Sequence, residues 1–184
     1  MVNKLASLSL LALLFVTGSP LFAQAQEAAA EAPSQELGDF GLLNAHQPLD
    51  GVLFGGQPEP GQLEAMARAG FKTVLDLRRE VEERGFDEPG YVEELGLEYV
   101  SIPVGSETLQ VKETYERFTE ILENAERPIL VHCASGNRVG ALYYAWLLEQ
   151  GEMTRDEALT EARRQGLRSD ALAETVDQVF ATEP

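Results

Sequence analysis

The sequence predicts an α/β domain with a central, mostly parallel sheet flanked by helices. Short apolar runs typical of strands alternate with segments of helical periodicity, which is the order that gives a parallel sheet. One run, 129–131 (Ile-Leu-Val), is apolar at every position, as expected of a central strand covered on both faces. The chain has 184 residues, of which 44% are hydrophobic, and this suffices for one domain with a normal core.

The individual strands and helices are predicted from apolar periodicity and from their end signals. Gly70, Gly96 and Gly166 each follow a helical segment, where glycine commonly ends a helix, and Thr154 with Glu157 forms a capping-box pattern. Strands are predicted at 52–54, 72–77, 98–104 and 129–131, helices at 60–69, 91–95, 111–125, 138–150, 154–165 and 169–180, and a charged loop at 78–90.

The first residues are typical of a secretory signal peptide. Lys4 precedes an apolar run that is too short to span a bilayer comfortably, and Ala23 and Ala25 supply the small residues that a signal peptidase reads. An uncleaved membrane anchor is the alternative. We predict a periplasmic or secreted location, and the domain organisation is a signal peptide at 1–25, a flexible leader at 26–37 and a single domain at 38–184.

The chain is strongly acidic, with 31 Asp and Glu against 14 Lys and Arg and a formal net charge of −17. Such a surface repels nucleic acid and anionic lipid, so we expect no nucleic-acid partner and, after signal cleavage, no membrane association. We expect a monomer. The two histidines, His46 and His132, lie far apart in sequence and do not suggest a zinc site, so no metal and no cofactor is expected.

Cys133 is the only cysteine, and it is either a small buried residue or a reactive thiol. It lies in the loop 132–138 (HCASGNR), between an apolar strand and an apolar helix. The positive end of that helix and the Arg138 guanidinium both favour the thiolate, which is the reactive form. The loop amides, turned inward at Gly136, and Arg138 can together hold the oxygens of a tetrahedral anion.

The string VHCASGNRVGA resembles the signature loop of protein tyrosine and dual-specificity phosphatases, in which His-Cys is followed by five residues and Arg. The stretches LFGGQPEPGQLEAMARAGFKTVLDL and EYVSIPV resemble upstream units of the same cysteine-phosphatase fold, so the resemblance covers about 53–150. Within that superfamily, the bacterial beta-lactamase hydrolase-like group, with four residues between Cys and Arg, matches best.

The resemblance implies a role for each residue of the loop. Cys133 would be the nucleophile that forms a thiophosphate intermediate, and Arg138 would bind the phosphoryl oxygens. His132 would orient the loop and help to hold the thiolate, unless its role is purely structural. The backbone amides that complete the anion cradle would be those of Ala134, Ser135, Gly136 and Asn137.

Three features depart from the phosphatase pattern. The spacing Cys133-x4-Arg138 is one residue short, and rhodanese-type sulfurtransferases also have four intervening residues. The stretch 105–108 lacks the aspartate that serves as general acid, so Glu107 is either its replacement or a solvated carboxylate. Val139 stands where phosphatases often carry Ser or Thr.

Three functions therefore stay open at this stage. The first is a hydrolase that acts on phosphate monoesters through Cys133. The second is a sulfurtransferase that carries a Cys133 persulfide and needs no general acid. The third is a non-catalytic anion-binding module. In each case the partner is a small anion: a phosphate ester for the first, and thiosulfate or a persulfide for the second.

Overall fold

The computed structural model describes residues 36–181. The predicted signal peptide and most of the predicted leader lie outside this range, as do residues 182–184. The strands are β1 (His46–Leu49), β2 (Val52–Gly55), β3 (Thr73–Asp76), β4 (Glu98–Ser101) and β5 (Ile129–His132). The helices are α1 (Pro60–Arg68), α2 (Glu88–Glu94), α3 (Lys112–Asn124), α4 (Asn137–Gln150), α5 (Arg155–Arg164) and α6 (Asp170–Phe180), with a 3₁₀ helix at Thr108–Gln110.

The five strands form one sheet in the order β1-β2-β5-β3-β4. Strands β2, β5, β3 and β4 are parallel, and β1 pairs antiparallel with β2 at the edge. The central strand is β5, and all four of its residues are buried. The predicted fold class, a mostly parallel sheet flanked by helices, is therefore confirmed.

Apolar side chains leave β5 on both faces of the sheet. Ile129 and Val131 belong to a core cluster that they share with residues of α3, α4, α5 and α6. Leu130 belongs to the opposite cluster, together with Leu63 and Met66 of α1. Because successive strand residues point to opposite faces, a continuous apolar run is what a strand between two helical layers requires. Leu130→Ala would cost about 2–5 kcal/mol of stability, as large core truncations usually do.

Two elements differ from the sequence prediction. Helix α2 begins at Glu88, three residues before the predicted start. The Asp87 carboxylate accepts a hydrogen bond from the Gly90 amide as its N-cap, and Pro89 lies in the first turn, where proline is tolerated. Strand β1 was not predicted, because its sequence HQPL has no apolar alternation and its four residues are only half-buried.

Helix α4 starts at the candidate loop and passes through the core. It approaches the α5–α6 connection so closely that a Cβ on Gly140 would lie 2.3 Å from the Leu167 amide nitrogen. Only glycine fits there without movement of the backbone. Although α4 is apolar almost all round, no helix within residues 36–181 is long and apolar enough to cross a membrane.

Candidate active site

The Cys133 loop lies at the carboxyl end of β5, between β2 and β3, where open parallel sheets place their ligands. Cys133 is only 1% exposed. Gly136 is the N-cap residue of α4, with φ 80°, a left-handed conformation that glycine adopts without strain. This turn directs the Gly136 amide to the Cys133 Sγ, at 3.1 Å. The nucleophile candidate therefore faces a backbone donor and the positive end of a helix.

The carbonyl groups of the loop are bonded to neighbours outside it. Ala134 O accepts a hydrogen bond from the backbone N–H of Gln57 at 3.3 Å. Ser135 O accepts from Asn44 Nδ2 at 3.1 Å and from Arg168 Nη2 at 2.6 Å. With these carbonyls fixed on one side, the intervening peptide units direct their amides to the other, which is how a backbone nest for an anion is formed.

The side chain of Asn137 also points away from the loop. Its Oδ1 accepts from the backbone amides of Arg168 at 2.7 Å and Ser169 at 3.2 Å. Arg168 Nη2 in turn lies 3.3 Å from the Ser135 hydroxyl. These contacts tie the loop to the start of α6, so Asn137 can offer an anion only its backbone amide.

Arg138 is held from several directions. Its Nη1 donates to Val104 O at 2.9 Å, and its two terminal nitrogens donate to the two oxygens of Glu82, each at 2.7 Å. Burial opposes the guanidinium charge, but the bonds to Glu82 and the charge of Cys133 outweigh it and raise the pKa of Arg138. The arginine is therefore a fixed positive charge beside the thiol.

Glu82 lies in the loop between β3 and α2 and contacts three arginines. Besides Arg138, it meets Arg78 Nε at 3.4 Å and Arg79 Nε at 3.4 Å. The bonds from Arg138 are the main reason that the pKa of Glu82 lies far below its ordinary value. Glu82 is therefore ionised at any pH near neutrality and cannot act as a general acid there.

His132, the last residue of β5, is completely buried below the loop. Its Nε2 lies 3.1 Å from Glu88 Oε1 and 3.8 Å from Asp76 Oδ1, and both carboxylates are also completely buried. Neither ring nitrogen forms a hydrogen bond of acceptable geometry, so His132 does not donate to Cys133 Sγ. Its influence on the thiol acts through the position of the strand end.

The three buried residues Asp76, Glu88 and His132 are the only group in residues 36–181 whose donor atoms are spaced closely enough to hold a metal ion. A cation is already present among them. The Arg84 guanidinium donates to Asp76 Oδ2 through Nε at 2.8 Å and Nη2 at 2.6 Å, and its Nε lies 3.4 Å from Glu88 Oε2. Tyr99 donates to the same Asp76 oxygen at 2.8 Å, which leaves that oxygen with no room for a metal.

Glu107, the candidate general acid, is exposed at the start of the 3₁₀ helix. Its Oε2 lies beside Gly105, 3.2 Å from where a Cβ on that glycine would be. A cleft of about 390 Å³ next to Arg138 is lined by Arg79, Gly105 and Ser106, among others, but not by Glu107. The structure thus brings the predicted acid loop to the site, while the Glu107 carboxylate stays outside the cleft.

Sequence reasoning missed three contributors to the site, namely Glu82, Glu88 and Arg168. The first two follow β3 in a segment where arginines and acids alternate, and residues beyond the carboxyl end of a parallel strand share an edge with those of its neighbours. The position of these residues just beyond β3 was therefore the one feature of the sequence that could have placed them near the Cys133 loop. No pattern in the sequence points to Arg168, which reaches the loop only through the packing of α5 and α6.

Comparisons with known proteins agree with this architecture. The family model described as "DSP-PTPase phosphatase fused to NAD+ Kinase" matches residues 44–180. A beta-lactamase hydrolase-like protein of Agrobacterium fabrum is 26% identical over 139 residues, which cover 72% of this chain and 32% of that protein. The chain therefore spans about a third of the length of this relative.

Two solved structures illustrate the likeness of fold. A DUF442 protein of Shewanella putrefaciens superposes with a TM-score of 0.60 at 25% identity, over 77% of this chain and 93% of that one. TpbA of P. aeruginosa, in complex with pTyr, gives a TM-score of 0.58 at 18% identity, over 84% of this chain and all of that one.

The predicted resemblance to the cysteine phosphatases is confirmed by these matches, and they give no support to the sulfurtransferase alternative. The family model covers most of the described residues, including the whole of the sheet and the Cys133 loop. The chain belongs to the family that this model describes, the DSP-PTPase phosphatases, and has the phosphatase-like fold of the protein tyrosine phosphatase superfamily.

Proposed function

We propose that the chain hydrolyses phosphate monoesters through a covalent intermediate on Cys133. The observation that carries the proposal is the placement of the Cys133 Sγ between the Gly136 amide, at 3.1 Å, and the charged Arg138 guanidinium. Both partners favour the thiolate over the thiol. Both also remain in place when a phosphoryl group arrives, so the site needs little reorganisation.

The reaction proceeds in two displacements. In the first, the Cys133 thiolate attacks phosphorus, an S–P bond forms, and the ester P–O bond breaks to release the leaving-group oxygen. In the second, a water oxygen attacks phosphorus, the S–P bond breaks, and the thiolate returns as inorganic phosphate is released. Arg138 and the loop amides hold the non-bridging oxygens in both steps, where negative charge develops.

The leaving group sets the preferred substrate class. A departing alkoxide needs a proton, and a general acid normally contributes about 10²–10⁴-fold to such a step. Because Glu107 lies outside the cleft and Glu82 is ionised, we propose that aryl phosphates, whose phenolate leaves more easily, are the preferred substrates. The complex of the structurally similar TpbA with pTyr supports the same choice.

The test is hydrolysis of p-nitrophenyl phosphate by the reduced mature protein near pH 6, beside Cys133→Ser and Arg138→Lys. We expect turnover in the parent protein, none above background with Cys133→Ser, and a loss of most activity with Arg138→Lys, because lysine lacks the planar fork of donors that binds two phosphoryl oxygens side by side. Turnover that persists in Cys133→Ser would refute the proposal. So would a parent protein that is inactive although its Cys133 is alkylated readily.

We also propose that the mature protein is a monomer and acts in the periplasm or outside the cell. The apolar run followed by Ala23 and Ala25 supports the location. Cell fractionation with N-terminal sequencing of the processed protein tests it, and we expect the mature chain to begin at Gln26. A protein that retains its first 25 residues in the membrane fraction would contradict this.

A further inference from the structure

Glu88 is a completely buried carboxylate that the reaction scheme above does not use. It is the first residue of α2, and the Asp87 cap fixes where that helix begins. A buried charge is retained at a cost unless it is paired and hydrogen-bonded. The partners of its two oxygens therefore indicate what it does.

The two oxygens of Glu88 have different surroundings. Oε2 accepts from Gln57 Nε2 at 2.9 Å and lies 3.4 Å from Arg84 Nε. Gln57 is itself fixed by a hydrogen bond from Arg78. Oε1 has no hydrogen bond of acceptable geometry and faces His132 Nε2 at 3.1 Å. One oxygen thus anchors the carboxylate, and the other is directed at the imidazole.

The arginines near the contact between Glu88 and His132 are bound mainly to other carboxylates. The Arg84 guanidinium is bound mainly to Asp76, which also receives the Tyr99 hydroxyl and the Arg78 amide. Burial opposes the charge of Arg84, but those bonds to Asp76 raise its pKa, so it stays charged. Arg78 is paired with Glu82.

His132 is the group that faces the second oxygen of Glu88. Two bare acceptors 3.1 Å apart in a dry interior would repel each other, so a proton belongs between His132 Nε2 and Glu88 Oε1. His132 directly precedes Cys133, with their Cα atoms about 3.8 Å apart. The imidazole is thus anchored at the residue next to the nucleophile, and a change in its position or protonation acts on Cys133 through the end of β5.

We propose that Glu88 is a positioning residue of the active site, which fixes the His132 imidazole and keeps its Nε2 protonated so that Cys133 stays reactive. This inference rests on the proposed function for its biological purpose, but its chemistry concerns only the thiol. It also assigns the cluster of Asp76, Glu88 and His132 to charge balance around Arg84, in place of metal binding.

The test measures alkylation of Cys133 by iodoacetamide as a function of pH, a readout that needs no turnover. We expect Glu88→Gln to slow alkylation at pH 6 about tenfold and to move the midpoint of the profile up by about one pH unit, as removal of a nearby charge network typically does. Asp87→Asn is the matched control, since it removes the same charge from the adjacent, exposed position and keeps a capping side chain. We expect its profile to match the parent protein.

A double-mutant cycle decides whether Glu88 acts through His132. His132→Gln should slow alkylation by a similar factor, and Glu88→Gln should add little in that background. An unchanged alkylation profile in Glu88→Gln would overturn the proposal. So would a double variant whose alkylation rate falls by the full product of the two single effects, because the two residues would then act independently. Failure of p-nitrophenyl phosphate hydrolysis with an intact alkylation response would overturn only the proposed function.

Two measurements on the unsubstituted protein keep the proposal testable if Glu88→Gln does not fold. The chain has two histidines, so His132→Gln assigns the ring signals in a ¹H–¹⁵N spectrum. We expect a proton on His132 Nε2, and an unprotonated Nε2 near neutral pH would refute the inference. Stoichiometric binding of Zn²⁺ by the cluster of Asp76, Glu88 and His132 would reassign that cluster as a metal site. This result would equally overturn the inference.

Discussion

Glu82 offers the sharpest test of how the site is held together. Glu82→Gln keeps the shape of the side chain and removes the charge that faces the guanidinium of Arg138. The two side chains are each 18% exposed, so the pair is partly shielded from water. Loss of one partner of a buried pair costs about 3–5 kcal/mol, and the partial exposure reduces our expectation to about 2 kcal/mol at pH 7.

The same substitution should reduce catalysis more than stability. Glu82 fixes the terminal nitrogens of Arg138, while Val104 O holds only one of them. Misplacement of a catalytic group by about 1 Å can cost 10²-fold, so we expect kcat/KM for p-nitrophenyl phosphate to fall about 10²-fold. Glu83→Gln is the matched control, because the adjacent Glu83 is exposed and carries the same charge. We expect it to behave like the parent protein.

The pH dependence supplies an independent check on the stability effect. The pKa of Glu82 in the folded chain lies below its ordinary value of 4.5. Its contribution to the free energy of unfolding is therefore fully present above pH 4.5 and is lost as the pH falls below it. Urea unfolding at pH 7 and at pH 3 should show a difference between parent and Glu82→Gln that shrinks at the lower pH.

One result would reverse the interpretation of Glu82. If the carboxylate competed with substrate for Arg138, Glu82→Gln would bind tungstate more tightly and turn over p-nitrophenyl phosphate faster. Activity within about twofold of the parent protein would likewise refute a positioning role, because a 10²-fold effect is expected. Equal losses in Glu82→Gln and Glu83→Gln would point to the total charge of the loop.

Three further predictions concern the fold, the general acid and the surface charge. Gly140→Ala should destabilise the protein by about 1–3 kcal/mol in urea unfolding, as overpacking does, while Gly61→Ala in the open part of α1 should change stability by less than about 0.5 kcal/mol. Equal effects would contradict the close approach at α4. Glu107→Gln should leave the acidic limb of the kcat/KM profile in place; its disappearance would identify Glu107 as the proton donor after all. Because the chain carries −17, kcat/KM for an anionic substrate should rise as added salt shortens the Debye length from about 30 Å to about 8 Å, and a steady fall would show that local attraction dominates at long range.

The fold was predictable where local pattern and tertiary role coincide. The central strand β5 is apolar at 129–131 because both of its faces are covered, and the same fact makes it visible in the sequence. Strand β1 was missed because an edge strand that is only half-buried needs no apolar alternation. Helix α2 was placed too late, because Pro89 and Gly90 indicate a break in isolation although both fit its first turn.

The residues of the site were likewise predictable where they are close in sequence and not where the fold brings them together. Cys133, Gly136 and Arg138 lie within six consecutive positions, so their joint chemistry could be inferred from spacing alone. Glu82 is 56 positions from Arg138, and the contact between them exists only because β3 and β5 are adjacent in the sheet. Contacts of this kind depend on strand order, which periodicity does not give.

The placement of charge explains how so acidic a protein can offer a site to phosphate. Glu82 neutralises only one of the three arginines that surround it. Arg168 donates to neutral oxygens of Ser135 and Gly166. The buried acids Asp76 and Glu88 lie below the loop, where Arg84 and His132 face them. Negative charge is thus compensated beneath the nucleophile, and positive charge remains in excess at the loop itself. At a Debye length of about 8 Å, a bound anion responds mainly to these nearest groups and little to the acidic surface beyond them.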